Sequence, residues 1–159
     1  MDQLQTLLQA LPLLLPVMEQ TLETKLDFTI ESLQRLENGI NKVYPAGHEP
    51  LETTLLVLGL YLGEVFIKNN KNACWDSIDP DAGPFFCCAE EERAFIGYPV
   101  KRMKNFWFDR SQGLKVYYQM NMDVLEGKIQ PEVCTDWKDH KGRYQYRFSQ
   151  KLSVRKINE

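Results

Sequence analysis

Histidine is scarce in this chain, and the common catalytic signatures are missing from it. No Cys-x-x-Cys pair occurs among Cys74, Cys87, Cys88 and Cys134, and the two histidines, His48 and His140, add no zinc spacing. Gly-x-Gly-x-x-Gly, P-loop, Gly-x-Ser-x-Gly and His-Glu-x-x-His patterns are absent. The usual marks of dinucleotide, nucleotide, hydrolase and zinc-protease chemistry are therefore not available, and neither a metal nor a cofactor is expected. No Lys or Arg precedes Lys25, and Asp2 stands where a signal peptide would carry positive charge. The apolar run at 11–18 is short and holds Pro12 and Pro16. Neither a signal peptide nor a membrane span is expected. The cysteines read as reduced, apolar core residues of a cytoplasmic protein.

What is present is ordinary for a folded domain. The 159 residues are 43% hydrophobic and 26% charged, enough for one domain with its own core. The net charge is -3, but residues 138–159 hold seven Lys or Arg against Asp139 and Glu159. That segment is +5 and leaves about -8 on the rest. A basic end on an acidic body is either a solvated terminal element or an electrostatic contact surface, and the first reading is favoured.

Leu4, Leu7, Leu8 and Leu11 follow helical spacing, and Pro12 and Pro16 are expected to break or kink that helix. Residues 1–25 thus read as a Leu/Pro-rich arm whose leucines need a cover, either the domain itself or a second subunit. Residues 26–159 read as the domain, with a basic aromatic segment from about 138. Asp27 or Thr29 can cap a helix that carries the stripe Leu33, Leu36, Ile40, Val43. Pro50 opens a third helix to about Asn69. It is apolar on nearly every side and carries Gly59 and Gly63 on one face. Two glycines in a helix cost about 1 kcal/mol each relative to Ala, so close approach of another backbone is expected there, with residues 29–43 as the crossing segment.

Beyond Asn72 the pattern changes to short apolar strands at 73–78 and 85–89, separated by Asp-Pro-Asp-Ala-Gly-Pro turn chemistry. A third strand is expected over 94–100 and a Pro99-led helix through Met103 to Phe106. Residues 114–125 alternate as a strand does, yet they also fit a helical face. Tyr144, Tyr146 and Phe148 alternate with polar residues and predict a late strand.

Several segments in this order resemble a family of small bacterial domains of unknown function. They are Glu31-Ser32-Leu33-Gln34-Arg35-Leu36, Leu58-Gly59-Leu60-Tyr61-Leu62-Gly63-Glu64-Val65, Trp75, Pro99-Val100-Lys101-Arg102-Met103-Lys104-Asn105 and Tyr117-Tyr118. The resemblance covers residues 26 to 126. It implies an α+β fold and favours helix for 114–125. It implies no reaction; some members are similar to immunity-type proteins that neutralise a partner.

Glu64 is the candidate with most to explain, because a carboxylate in an all-round apolar helix must be paired or hydrogen-bonded. One reading makes it a ligand contact or acid–base group in a pocket with Tyr61 and Trp75. The favoured reading makes it an anchor that accepts from Trp75, a tyrosine or an arginine, or pairs with Lys68. Asp76, Asp79 and Asp81 crowd a loop but lack a calcium-loop register, and turn formation is favoured. Lys101, Arg102, Lys104, Phe106 and Trp107 are candidate partner anchors, or a nucleic-acid grip if the basic residues gather. Cys87 and Cys88 read as inert.

The expectation is a single α+β domain, with N-terminal helices packed on a small, mainly antiparallel sheet. The functional expectation is a non-catalytic protein-interaction module, immunity-type or accessory, with a protein partner and self-association through the Leu-rich arm. A small-molecule site or enzyme around Glu64 is the alternative, and nucleic-acid binding the second alternative.

Overall fold

Hydrophobic spacing and local capping account for the elements observed. The computed structural model describes residues 2–90, 93–128, 136–138, 144–148 and 152–156. Among the described residues, five helices and two three-stranded antiparallel sheets make up an α+β domain. The helices are α1 (Gln3–Leu22), α2 (Glu31–Val43), α3 (Glu52–Asn69), α4 (Pro99–Phe108) and α5 (Leu114–Leu125). The first sheet joins β1 (Ala73–Asp79), β2 (Gly83–Glu90) and β3 (Arg93–Gly97) in that order, and the second joins β4 (Asp136–Lys138), β5 (Tyr144–Phe148) and β6 (Leu152–Lys156). β6 lies beside β3. The basic side chains of residues 138–159 fall outside the described residues, and so does Cys134.

Of the break or kink expected at Pro12 and Pro16, the break does not occur: α1 runs as one helix through both. The two prolines are four apart, on a solvent-exposed side of the helix, so the carbonyls that lose their N–H partners can turn to water. Asp2 caps the start by accepting from the Gln5 N–H. Leu4, Leu11, Leu15 and Leu22 are buried, so one edge of α1 joins the common core.

At the start of α2 the cap is Thr29, whose Oγ1 accepts from the Ser32 N–H at 3.2 Å. Asp27 in turn accepts from Thr29 and pairs with Arg35 at 2.8 Å. α5 has no cap of its own at Gly113. Glu37 of α2 supplies one, its Oε1 accepting from the N–H groups of Leu114 and Lys115. This explains why 114–125 is a helix although its alternation also suited a strand.

α3 is the centre, with Leu58, Tyr61, Leu62, Val65 and Phe66 fully buried. Its glycines do admit a close neighbour, but the neighbour is not α2. A Cβ at Gly59 would lie 2.6 Å from Val100 Cα, so the first turn of α4 occupies that face. A Cβ at Gly63 would lie 2.2 Å from the Trp75 ring. Pro99 starts α4 with a fixed backbone angle, which lets the chain leave β3 and run at once along the glycine face.

β1 and β2 form the expected hairpin. Asp79 Oδ1 accepts from the N–H groups of Asp81 and Ala82 at 2.8 and 2.7 Å, and Gly83 takes a positive φ of 84°. Those N–H groups hold the Asp79 carboxyl below its usual range. Its role is turn formation.

Candidate functional site

Glu64 and Trp75 meet. The indole Nε1–H of Trp75 donates to Glu64 Oε1 at 3.0 Å, and the ring lies over Gly63. The three residues form one unit: glycine makes the space, the ring fills it, and the carboxylate one residue further along α3 receives the ring's only donor. Lys68 makes no ion pair with Glu64; its Nζ sits 4.7 Å from the centre of the Phe28 ring.

Tyr61, one turn earlier on α3, bonds to other groups. Its hydroxyl lies 2.6 Å from Ser32 Oγ and accepts from the Phe28 N–H at 3.0 Å. Burial pushes the Tyr61 phenol up, opposed by its bonds to Ser32 and Phe28. Phe28 has a φ of 64°, a left-handed conformation that a bulky side chain rarely adopts. It is clamped from both sides, since its N–H goes to Tyr61 and its carbonyl accepts from Asn69 Nδ2 at 2.8 Å. Tyr61 thus holds the loop that leads into α2.

A cleft of about 460 Å3 does open beside Glu64, between α1 and α3. Its α1 wall holds leucines, Pro12, Pro16 and the charged Glu19, and Phe28, Glu64 and Lys68 stand with them. Its size falls within the range of small-molecule sites, roughly 300–1,000 Å3. The alternative expected from sequence placed Tyr61 and Trp75 around Glu64; the cleft itself is lined by α1, which contributed nothing to that expectation.

The residues of α4 divide sharply. Phe106 and Trp107 are each 1% exposed and belong to the core. Neither ring is available as a surface anchor or as a stacking platform, because the apolar face of α4 is the one that closes the domain. Trp107 Nε1 donates to the His48 carbonyl at 2.8 Å. Arg110 ties the same corner together through Trp107 O, Asn41 Oδ1 and Tyr44 O. Arg102 is half-buried, its guanidinium 4.7 Å from the centre of the Tyr117 ring and bonded to Gln112. Lys101 and Lys104 alone of the five are exposed. They line a second cleft, of about 720 Å3, with Glu52 and Asp81 opposite. Mixed charge there gives no single-sign footprint for nucleic acid.

The leucines of the N-terminal arm were expected to need a cover; the domain covers one edge of α1 and leaves its outer side bare. Leu13 is 77%, Leu14 43% and Val17 54% exposed. Exposed Pro12 and Pro16 interleave with them, and no charged residue occurs from 3 to 18. The signal was present as an apolar run too wide for one buried stripe. Among the described residues no helix is long and apolar enough to cross a membrane, and no group of three or more metal-ligating side chains is gathered.

No protein-family model, curated protein or solved structure matches this chain.

Proposed function

We propose that this protein is a non-catalytic protein-interaction module that docks through the outer face of α1. The observation that carries this reading is the exposed, uncharged run of Pro12, Leu13, Leu14, Pro16 and Val17, on a helix whose opposite edge is already committed to the core. The occupant is a second copy of the chain. The α1 face holds no charged residue from 3 to 18, so a two-fold axis would lay it against itself with no like charges opposed. The resemblance of residues 26–126 to small bacterial domains with immunity-type members supports an interaction role in a bacterial cytoplasm.

Sedimentation velocity over a dilution series tests the reading. The wild type is expected to shift from dimer to monomer on dilution. Leu13→Glu, at an exposed position, is expected to sediment as a monomer throughout with an unchanged circular dichroism spectrum. A wild type that is monomeric at every concentration overturns it.

A second reading, small-molecule binding, is favoured by the cleft that Glu64 and a strained Phe28 both line. Glu64→Gln separates site from anchor. Lost ligand binding with an intact fold supports a site; unchanged binding, with an acceptor for the Trp75 indole retained, leaves Glu64 an anchor.

A further inference from the structure

Cys74 and Cys87 are paired directly across β1 and β2, with their sulfurs 3.6 Å apart. This pairing depends on a bulge. From Asp79↔Gly83 to Ser77↔Phe85 the hairpin keeps one register, which would carry on to set Cys74 opposite Cys88. The irregularity between Trp75 and Ser77 shifts the register by one residue, and Cys87 becomes the partner instead. Directly opposed residues of antiparallel strands have Cα atoms about 4.5–5.5 Å apart. That falls within the 4.4–6.8 Å window of disulfides. Closing the gap between the sulfurs therefore calls for side-chain rotation, not for rearrangement of the strands.

We propose that Cys74 and Cys87 are a redox modification site that closes to a cross-strand disulfide. The oxidant is a small-molecule disulfide of the glutathione class. Cys74 is the half-exposed member and Cys87 is buried. The Cys74 thiolate attacks one sulfur of the oxidant, breaks its S–S bond and releases one thiolate. The Cys87 thiol loses its proton and attacks Cys74 Sγ in the mixed disulfide, expelling the second thiolate. Two protein thiols are oxidised to one disulfide. Their two electrons reduce the oxidant, and the two thiolates that leave take up the two protons. Cys88 is not part of the pair. It packs into the core cluster, and burial pushes its thiol up to about 12, where it stays protonated and unreactive. The new bond would stand next to Trp75, fixing the bulged strand that holds the indole over Gly63 and against Glu64.

The full chain carrying Cys134→Ser is incubated, folded, over a series of oxidised-to-reduced glutathione ratios. It is then alkylated and read by mass spectrometry without reduction. No Lys or Arg lies between Lys71 and Arg93, so trypsin leaves all three cysteines in one peptide and a protease cutting at aspartate is used. The expected product has lost two hydrogens, links the peptide of Cys74 to that of Cys87, and forms equally well in a Cys88→Ala background. It unfolds several degrees above the reduced protein. Cys87→Ser is expected to stop at the mixed disulfide on Cys74; Cys74→Ser, at the half-exposed position, gives no intramolecular bond if Cys87→Ser fails to fold. Full alkylation of both thiols at every ratio, a persistent mixed disulfide in the parent chain, or linkage of Cys74 to Cys88 overturns the proposal.

Discussion

α1 and α3 are both long and rich in leucine, yet one is enclosed and the other is half bare. α3 buries residues on every side, while α1 buries one edge and exposes Leu13, Leu14 and Val17 on the other. Hydrophobicity does not separate them. What separates them is the residue type that interrupts each run. Glycine at 59 and 63 lets a backbone and an indole come against α3. Proline at 12 and 16 removes two N–H donors from the exposed side of α1. The carbonyls freed there are better served by water than by a tightly packed neighbour of the same chain.

Gly59→Ala carries the heaviest penalty. Helix propensity alone favours alanine by about 1 kcal/mol. The added methyl would nevertheless meet the Val100 backbone at 2.6 Å, and a net loss of about 3 kcal/mol is expected in urea titration. A gain would mean that α4 yields easily and that the glycine face is not what encloses α3. Trp75→Phe comes next, at about 2 kcal/mol, because Glu64 loses its donor and Gly63 faces a smaller ring. Glu64→Gln keeps an acceptor oxygen and is expected to cost less than Trp75→Phe in the same assay.

Alkali provides a graded test of the enclosed side. Burial pushes up the phenols of Tyr61 and Tyr118, and that of Tyr117 to about 12, with Arg102 opposing the shift at Tyr117. A raised phenol means that the folded state holds its proton more tightly than the unfolded chain. That stability is complete below pH 10 and is lost as pH rises from 10 towards 12. Thermal melts across that range should fall steadily; a flat profile would place these hydroxyls in water.

On the bare side the effects shrink and change sign. Pro12→Ala restores a helical N–H and is expected to stabilise by about 1 kcal/mol, part of the intrinsic proline penalty. Leu13→Glu is expected to leave monomer stability within about 0.5 kcal/mol while removing self-association.

The elements legible in the sequence were those decided by neighbours close in the chain. α2 showed in its leucine stripe, the β1–β2 hairpin in its Asp-Pro-Asp-Ala-Gly-Pro turn, and β5 in its alternating tyrosines. Glu64 was recognisable as a carboxylate needing a partner, and Trp75 stood among its candidates. What stayed hidden depends on contacts between distant segments. Nothing local says that α4, not α2, lies on the glycine face, and this same docking turns Phe106 and Trp107 inward. Nor does spacing show that a one-residue bulge selects Cys87 over Cys88, since period-two reasoning assumes an unbroken register. That α1 does not break at Pro12 and Pro16 is hidden as well, because proline's cost depends on whether the freed carbonyls reach water, which only the fold reveals.

The central claim, that the bare face of α1 is a contact surface between two copies, is tested most directly by isotope-filtered NMR. Equal amounts of 13C-labelled and unlabelled chain are mixed at a concentration where sedimentation shows a dimer. Intermolecular NOEs from the methyl groups of Leu13, Leu14 and Val17 are expected, and they are lost on Leu13→Glu. Intermolecular NOEs confined to other residues, or none from these methyls, would contradict it.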